Sequence, residues 1–219
     1  PYPPPPQRPG PPALRGRISQ FLMDEGVALL ITPGQRGDLG TIMAKSVPSR
    51  SGTPPLPPPA MAIAAEQYNR IARLLASRLP VEVEAEIGAR FYPEPQSAYN
   101  LIAELPGTSG LVIAGAHLDS WNSGTGAVDN GCGVAVLMEA ARILKALNLP
   151  LKRTVRFAFW AAEEHGLLGS KAYLEAHRAE LPRISVYLNA DGGAGRVRGI
   201  YLQGNSAARA PFKIGRAHV

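Results

Sequence analysis

Three apolar runs of strand length end directly in imidazole or carboxylate side chains, and this constrains the fold more than any other feature. Leu111 to Ala116 runs into His117-Leu118-Asp119, Thr154 to Ala162 into Glu163-Glu164-His165, and Ile184 to Ala190 into Asp191-Gly192-Gly193. Continuous apolar runs of this length suit strands buried on both faces, as in a parallel sheet covered by helices. The intervals supply such helices: Val134 to Leu147 and Leu167 to Ala179 are amphipathic. A fourth strand is expected at Tyr99 to Leu105. The class is therefore α/β, a sheet flanked by helices. In such sheets ligands gather beyond the carboxyl ends of the strands, where these polar residues stand.

A fourth acid, Asp129, follows the glycine-rich loop Ser123-Gly124-Thr125-Gly126 and precedes the helix that starts near Gly133. Buried carboxylates are costly unless cations accompany them, and none of these motifs contains lysine or arginine. A metal answers the need. Mixed imidazole and carboxylate ligands suit Zn²⁺, and one carboxylate can bridge two ions about 3.5 to 4 Å apart. The spacing His117-x-Asp119 lets the aspartate accept from the second ring nitrogen and orient the imidazole. Of the adjacent Glu163 and Glu164, one can serve as base and the other as ligand. Taken singly, each motif has a plainer reading: a polar strand end, acids at a helix N-terminus, or a turn at Asp129-Asn130-Gly131. Their coincidence at successive strand ends is what four separate accidents do not explain.

Composition excludes other classes. The 219 residues carry a net charge of +6, but the basic residues are scattered and only Lys152-Arg153 are adjacent, which argues against nucleic acid as a partner. No apolar run approaches the roughly 18 residues of a membrane span. The single cysteine, Cys132, excludes an intramolecular disulfide.

The first third reads as a separate small module. After the proline-dominated Pro1 to Pro12, a helix is expected at Leu14 to Glu25, ended by Gly26, then a strand at Val27 to Ile31 stopped by Pro33-Gly34. A Gly, Ser and Pro-rich stretch runs to Pro59. Beyond it come a strand at Ala60 to Ala64, a helix at Glu66 to Ser77 and an alternating strand Val81-Val83-Ala85-Ile87. Tyr92 to Ser97, with Pro93 and Pro95, makes the boundary.

The series AHLDSW, GTGAVDNGCG, FAFWAAEEHGLLGSKAY and LNADGG, spanning about Tyr99 to Gly193, closely resembles the co-catalytic two-zinc exopeptidases of peptidase family M28. The resemblance implies His117 and Asp191 as ligands of one zinc, Glu164 of the other, and Asp129 as the bridge. It implies Glu163 as general base, Asp119 as the partner of the His117 ring, and a cis peptide between Asp129 and Asn130. It implies metal-assisted hydrolysis of a peptide or dipeptide in a secreted or periplasmic protein. GVALLITPG and PPPAMAIAAEQYNRIARLL are similar to the protease-associated domain found in many members, giving a partial domain at 1–92 and a zinc peptidase domain at 97–213. Two other functions share this fold: a glutaminyl-cyclase-like acyl transferase with one zinc, and a receptor-like homologue with none.

Cys132 suits a buried small hydrophobe, and His165 and His177 structural or solvent-facing positions. Both termini carry expectations of their own. The chain opens on proline without a charged leader, so an upstream start is expected. Ile214 to Val219 matches one reading frame of a common sequencing adapter and is set aside from fold reasoning. The second zinc then has only Asp129 and Glu164. The family supplies a histidine from a later loop, and His218, inside the adapter-like hexapeptide, is not expected to be it. The chain is accordingly expected to be an inactive, C-terminally truncated piece of the catalytic domain.

Overall fold

The computed structural model describes residues 12–34, 39–42, 56–90, 92, 97–121, 124–197 and 199–214. The proline-dominated opening through Pro11, most of the Gly, Ser and Pro-rich stretch, much of the boundary at Tyr92 to Ser97, Ser123 of the glycine-rich loop, and 215–219 with His218 lie outside the described residues. The chain divides into two compact units between Gln96 and Ser97.

In the first unit α1 (Pro12–Asp24) closes at Gly26, whose φ of 66° is left-handed. The Gly26 N–H donates to the Met23 carbonyl and the Val27 N–H to the Leu22 carbonyl, the paired bonds that end a helix through a left-handed glycine. Because Val27 is tied back to the helix, the strand expected from Val27 begins later: β1 is Leu30–Pro33, with Pro33 as its last residue. It pairs in parallel with β2 (Ala60–Ile63), which leads into α2 (Ala65–Ala76). The strand expected at Val81 to Ile87 is absent. That segment has no regular structure, and Val83 and Ile87 are 49% and 40% exposed. An alternating sequence becomes a strand only where a neighbour takes its backbone hydrogen bonds, and among the described residues none does.

The second unit contains β3 (Leu101–Leu105), β4 (Leu111–His117), α3 (Cys132–Leu147), β5 (Thr154–Trp160), α4 (Leu168–Ala176), β6 (Ile184–Asn189) and α5 (Arg209–Ile214). The sheet order is β3-β5-β4-β6, with β5, β4 and β6 parallel and β3 antiparallel to β5. The three parallel strands are the three apolar runs, so His117, the Glu163-Glu164 pair and Asp191 leave the sheet at one edge. The second helix is shorter than expected. It stops at Ala176, and Arg178–Arg183 forms a 3₁₀ turn containing Pro182, which has no N–H to continue an α-helix.

Alternate residues of β4 and β5 face opposite sides, and each side has its own helix. Phe157, Phe159 and Ala116 pack with Leu137, Val134, Ala140, Ala141 and Leu144 of α3. Leu111, Ile113, Ala158 and Trp160 pack with Tyr173 of α4. This double coverage is why apolar residues run without alternation through the two central strands.

Gly115 is tightly enclosed on the α4 side of the sheet. The Trp160 Nε1–H donates to the Tyr187 hydroxyl (2.9 Å) beside it, and a Cβ at 115 would stand 2.5 Å from that hydroxyl and 2.7 Å from Nε1. Both groups are anchored, since the Tyr187 hydroxyl in turn donates to Asn189 Oδ1 (2.6 Å). Gly115→Ala is therefore expected to lower stability by about 1–3 kcal/mol through overpacking, measured as a fall in the urea midpoint. An unchanged midpoint would show that the pair can move aside.

Candidate metal centre

His117 is the last residue of β4 and is 3% exposed. Its Nδ1 lies 2.9 Å from the backbone carbonyl oxygen of Asp119. A carbonyl can only accept, so Nδ1 carries the proton and Nε2 turns the other way. Nε2 is 2.9 Å from Asp129 Oδ1 and 3.2 Å from Asp191 Oδ1. Three atoms with lone pairs thus meet at one point. They are mutually repulsive unless Nε2 takes a second proton or a cation sits among them.

Asp129 reaches this point from a wide turn, Ala127–Gly131, that interrupts the entry to α3. Gly126 supplies a left-handed φ of 67° at its start, and the Gly131 N–H closes it on the Gly126 carbonyl (2.6 Å). The Asp129-Asn130 peptide is cis, as the resemblance implies. Asn130 is 1% exposed: its Nδ2 donates to the Ala190 carbonyl (2.8 Å), and its Oδ1 accepts from the Gly192 N–H (3.3 Å). It therefore ties the Asp129 turn to the loop that carries Asp191. Cys132 is partly exposed rather than buried, and its thiol lies 2.9 Å from the carbonyls of Val128 and Gly193, linking the same two segments.

Glu163 and Glu164 follow β5 after Ala162, which has a left-handed φ of 51°. Ligating atoms of His117, Asp129 and Glu164 all lie within 4.8 Å of one another. One carboxylate oxygen of Glu164, Oε1, is buried with no hydrogen-bond partner. Burial raises the Glu164 pKa, and the charges of Asp129 and Glu163 raise it further. Burial likewise raises that of Glu163; His117 opposes this, while Asp191, Asp119 and Asp129 add to it. For His117 burial favours the neutral ring, but the bond to the Asp119 carbonyl, the charges of Asp191 and Glu163 and the hydrogen bond to Asp129 outweigh it, so its pKa rises. No lysine or arginine among the described residues pairs with these acids. Those ion pairs lie elsewhere, at Arg142–Glu139, at Arg156 with Glu104 and Glu180, and at Arg178–Glu175.

Asp119 differs from expectation. Its carboxylate is 3.6 Å from His117 Nδ1, too far for a hydrogen bond, because Oδ1 and Oδ2 are taken by the backbone N–H groups of Glu163 (2.8 Å) and Glu164 (3.0 Å). His165 is exposed, and His177 stacks on Tyr173 (4.3 Å between ring centroids) and bonds Glu180 (3.2 Å), so neither joins the cluster. Sequence reasoning missed Asn100, which accepts from the Ala161 N–H (3.0 Å) and donates to the Gly169 carbonyl (2.9 Å), bracing the end of β5 against α4. It also missed the tying role of Asn130. An asparagine before a strand or in a turn carries no local signal of such a partner.

Residues 100–214 match the family model of peptidase family M28. Carboxypeptidase Q of Mus musculus is 34% identical over 167 residues, covering 75% of this chain and 35% of that protein. Leupeptin-inactivating enzyme 1 of Streptomyces exfoliatus is 45% identical over 98 residues, covering 43% of this chain and 22% of that protein. Among solved structures, a peptidase M28 precursor from Shewanella amazonensis superposes with a TM-score of 0.63 at 30% identity, covering 90% of this chain and 45% of that one. The chain spans about a third of the length of the mouse carboxypeptidase. A family match over more than half of the chain, a related fold, and acids that need a cation at the ends of β4, β5 and β6 lead to one conclusion: the chain belongs to peptidase family M28.

Proposed function

We propose that the protein carrying this chain is a zinc-dependent exopeptidase that takes two zinc ions at this centre and acts on peptides or dipeptides. The observation that carries the reading is the convergence of the His117 Nε2 lone pair with Asp129 and Asp191, beside the unpartnered buried Oε1 of Glu164. Such a donor set fits zinc, with His117 and Asp191 serving one ion, Glu164 the other, and Asp129 both. When bound, zinc supplies Lewis acidity, making water a nucleophile near neutral pH and stabilising negative charge on the scissile carbonyl oxygen.

The remaining work falls to the chain's own residues. Glu163 is the general base: its carboxylate, partly buried beside the centre, takes the proton of the attacking water and then returns it to the leaving amine. The Asp119 carbonyl holds the His117 ring so that Nε2 faces the carboxylates of Asp129 and Asp191, where it would be free to ligate. Relatives named a carboxypeptidase and a leupeptin-inactivating enzyme support a peptide-like substrate. The reading includes a secreted or periplasmic location and a partial protease-associated domain at 1–92. No helix among the described residues is long and apolar enough to cross a membrane. Among the described residues the histidine grouped with Asp129 and Glu164 is His117.

Metal analysis of the protein isolated from its source tests the reading. Two zinc ions per chain are expected, falling together with activity on dialysis against a chelator. One zinc would favour the acyl-transferase alternative, and none the receptor-like one.

A further inference from the structure

We infer that Asn100 is a positioning residue: its side-chain amide pins both ends of the segment 161–169, which joins β5 to α4, and so holds Glu163 and Glu164 in place. The inference rests on the proposed function for the roles of the two glutamates. Asn100 stands just before β3, whose first pair with β5 joins Leu101 to Phe159. β5 ends at Trp160, and Asn100 Oδ1 accepts from the next amide, the Ala161 N–H, at 3.0 Å. Nδ2 of the same side chain donates to the Gly169 carbonyl at 2.9 Å, and the Gly169 N–H donates to the Ala161 carbonyl at 3.0 Å. The three bonds form a closed circuit that pinches the loop at its neck. An amide suits the place because it offers an acceptor and a donor on one planar group.

The neck has no slack. A Cβ at position 169 would collide with both Asn100 Oδ1 and the Ala161 carbonyl oxygen, so the close approach needs glycine there. Beyond the neck the loop bends sharply: Ala162 and Leu167 have left-handed φ of 51° and 63°. The Glu163 carbonyl accepts from the N–H groups of Gly166 (2.8 Å) and Leu167 (2.9 Å), and the Ala162 carbonyl from that of Leu168 (3.1 Å). Left-handed non-glycine residues persist only where their surroundings over-determine them, and a neck fixed at both ends supplies that constraint. Glu163 and Glu164 follow Ala161 by two and three residues, so a shift at the neck is passed to their carboxylates. Asn100 therefore acts on the two acids through the backbone, and a misplacement of about 1 Å there can cost about 10²-fold in rate.

Asn100→Ala and Asn100→Asp, made in the full chain, test the clamp. Amide exchange read by NMR without metal is expected to quicken about 10- to 100-fold at Ala161, Leu167, Leu168 and Gly169 in the alanine variant, while Phe157 in the middle of β5 keeps its wild-type rate. A merely structural role would quicken the loop and Phe157 together. Aspartate keeps the acceptor and loses the donor, so in that variant Ala161 should stay slow while Leu168 and Gly169 quicken. Zinc titration of the alanine variant should show affinity about 10-fold weaker than wild type, since Glu164 is no longer held. Unchanged exchange at Ala161, quickening that includes Phe157, or undiminished zinc affinity in the alanine variant would each overturn the inference. Should the alanine variant not fold, the aspartate variant, close to asparagine in volume, decides the question: unchanged exchange at Leu168 and Gly169 would overturn it. Exchange is read without zinc, so it stands or falls separately from the proposed function, which the wild-type zinc titration tests.

Discussion

Glu163→Gln in the active peptidase is expected to reduce turnover by about 10²- to 10⁴-fold while leaving the bound zinc in place. The fall corresponds to roughly 3 to 5 kcal/mol of transition-state stabilisation. Glutamine keeps the shape of the side chain and its backbone N–H bond to Asp119, so the loop is preserved and only the proton acceptor is lost. Glu163 lies outside the group formed by His117, Asp129 and Glu164, which is why metal content should hold. Steady-state kinetics with a peptide substrate, run beside zinc analysis of the same samples, gives the answer. Turnover within a few-fold of wild type would remove Glu163 from the mechanism. Loss of zinc along with turnover would make it a ligand instead.

Phe157→Ala should cost the second unit about 3–5 kcal/mol. Phe157 is 2% exposed and stands in the middle of β5, packed with Ala116, Leu137 and Phe159 in the cluster that joins the sheet to α3. Its removal leaves a cavity against a strand hydrogen-bonded on both sides, by β3 and β4, so the site has little room to collapse. Against a typical total of about 5–15 kcal/mol, the loss is large. Both tryptophans, Trp121 and Trp160, lie in the second unit, so urea unfolding followed by tryptophan fluorescence reports this unit. Val136→Ala, at a position 61% exposed on α3, is the control and should change stability by no more than about 0.5 kcal/mol. A Phe157→Ala cost below about 1 kcal/mol would mean that the α3 face of the sheet is not a packed core.

Much of the second unit was legible without coordinates, for two local reasons. A strand buried on both faces must be apolar at successive positions, so β4 and β5 announced themselves by run length; β6 is as apolar a run but is largely exposed at the end of the sheet order among the described residues, and the boundaries of all three shifted by a residue or two. Parallel strands bring their carboxyl ends to one edge, so residue type just after each run was enough to nominate His117, Asp119, Glu163, Glu164 and Asp191, while Asp129 came from the glycine-rich loop before α3. In the first unit local pattern misled. Val81 to Ile87 alternates as a strand does but finds no partner among the described residues, and the strand expected at Val27 is delayed by the helix closure at Gly26.

By itself, then, the sequence determined the apolar runs, the helices between them, and the order in which chemically capable side chains leave the sheet, because each depends on residues close together in the chain. Tertiary structure alone decided which atom serves which partner. That Asp119 offers its carbonyl to His117 and its carboxylate to Glu163 and Glu164, or that Asn130 reaches Ala190 and Asn100 reaches Gly169, depends on pairings separated by up to 69 residues. An amide or a carboxylate can satisfy many partners equally well, and only the register and packing of the sheet choose among them.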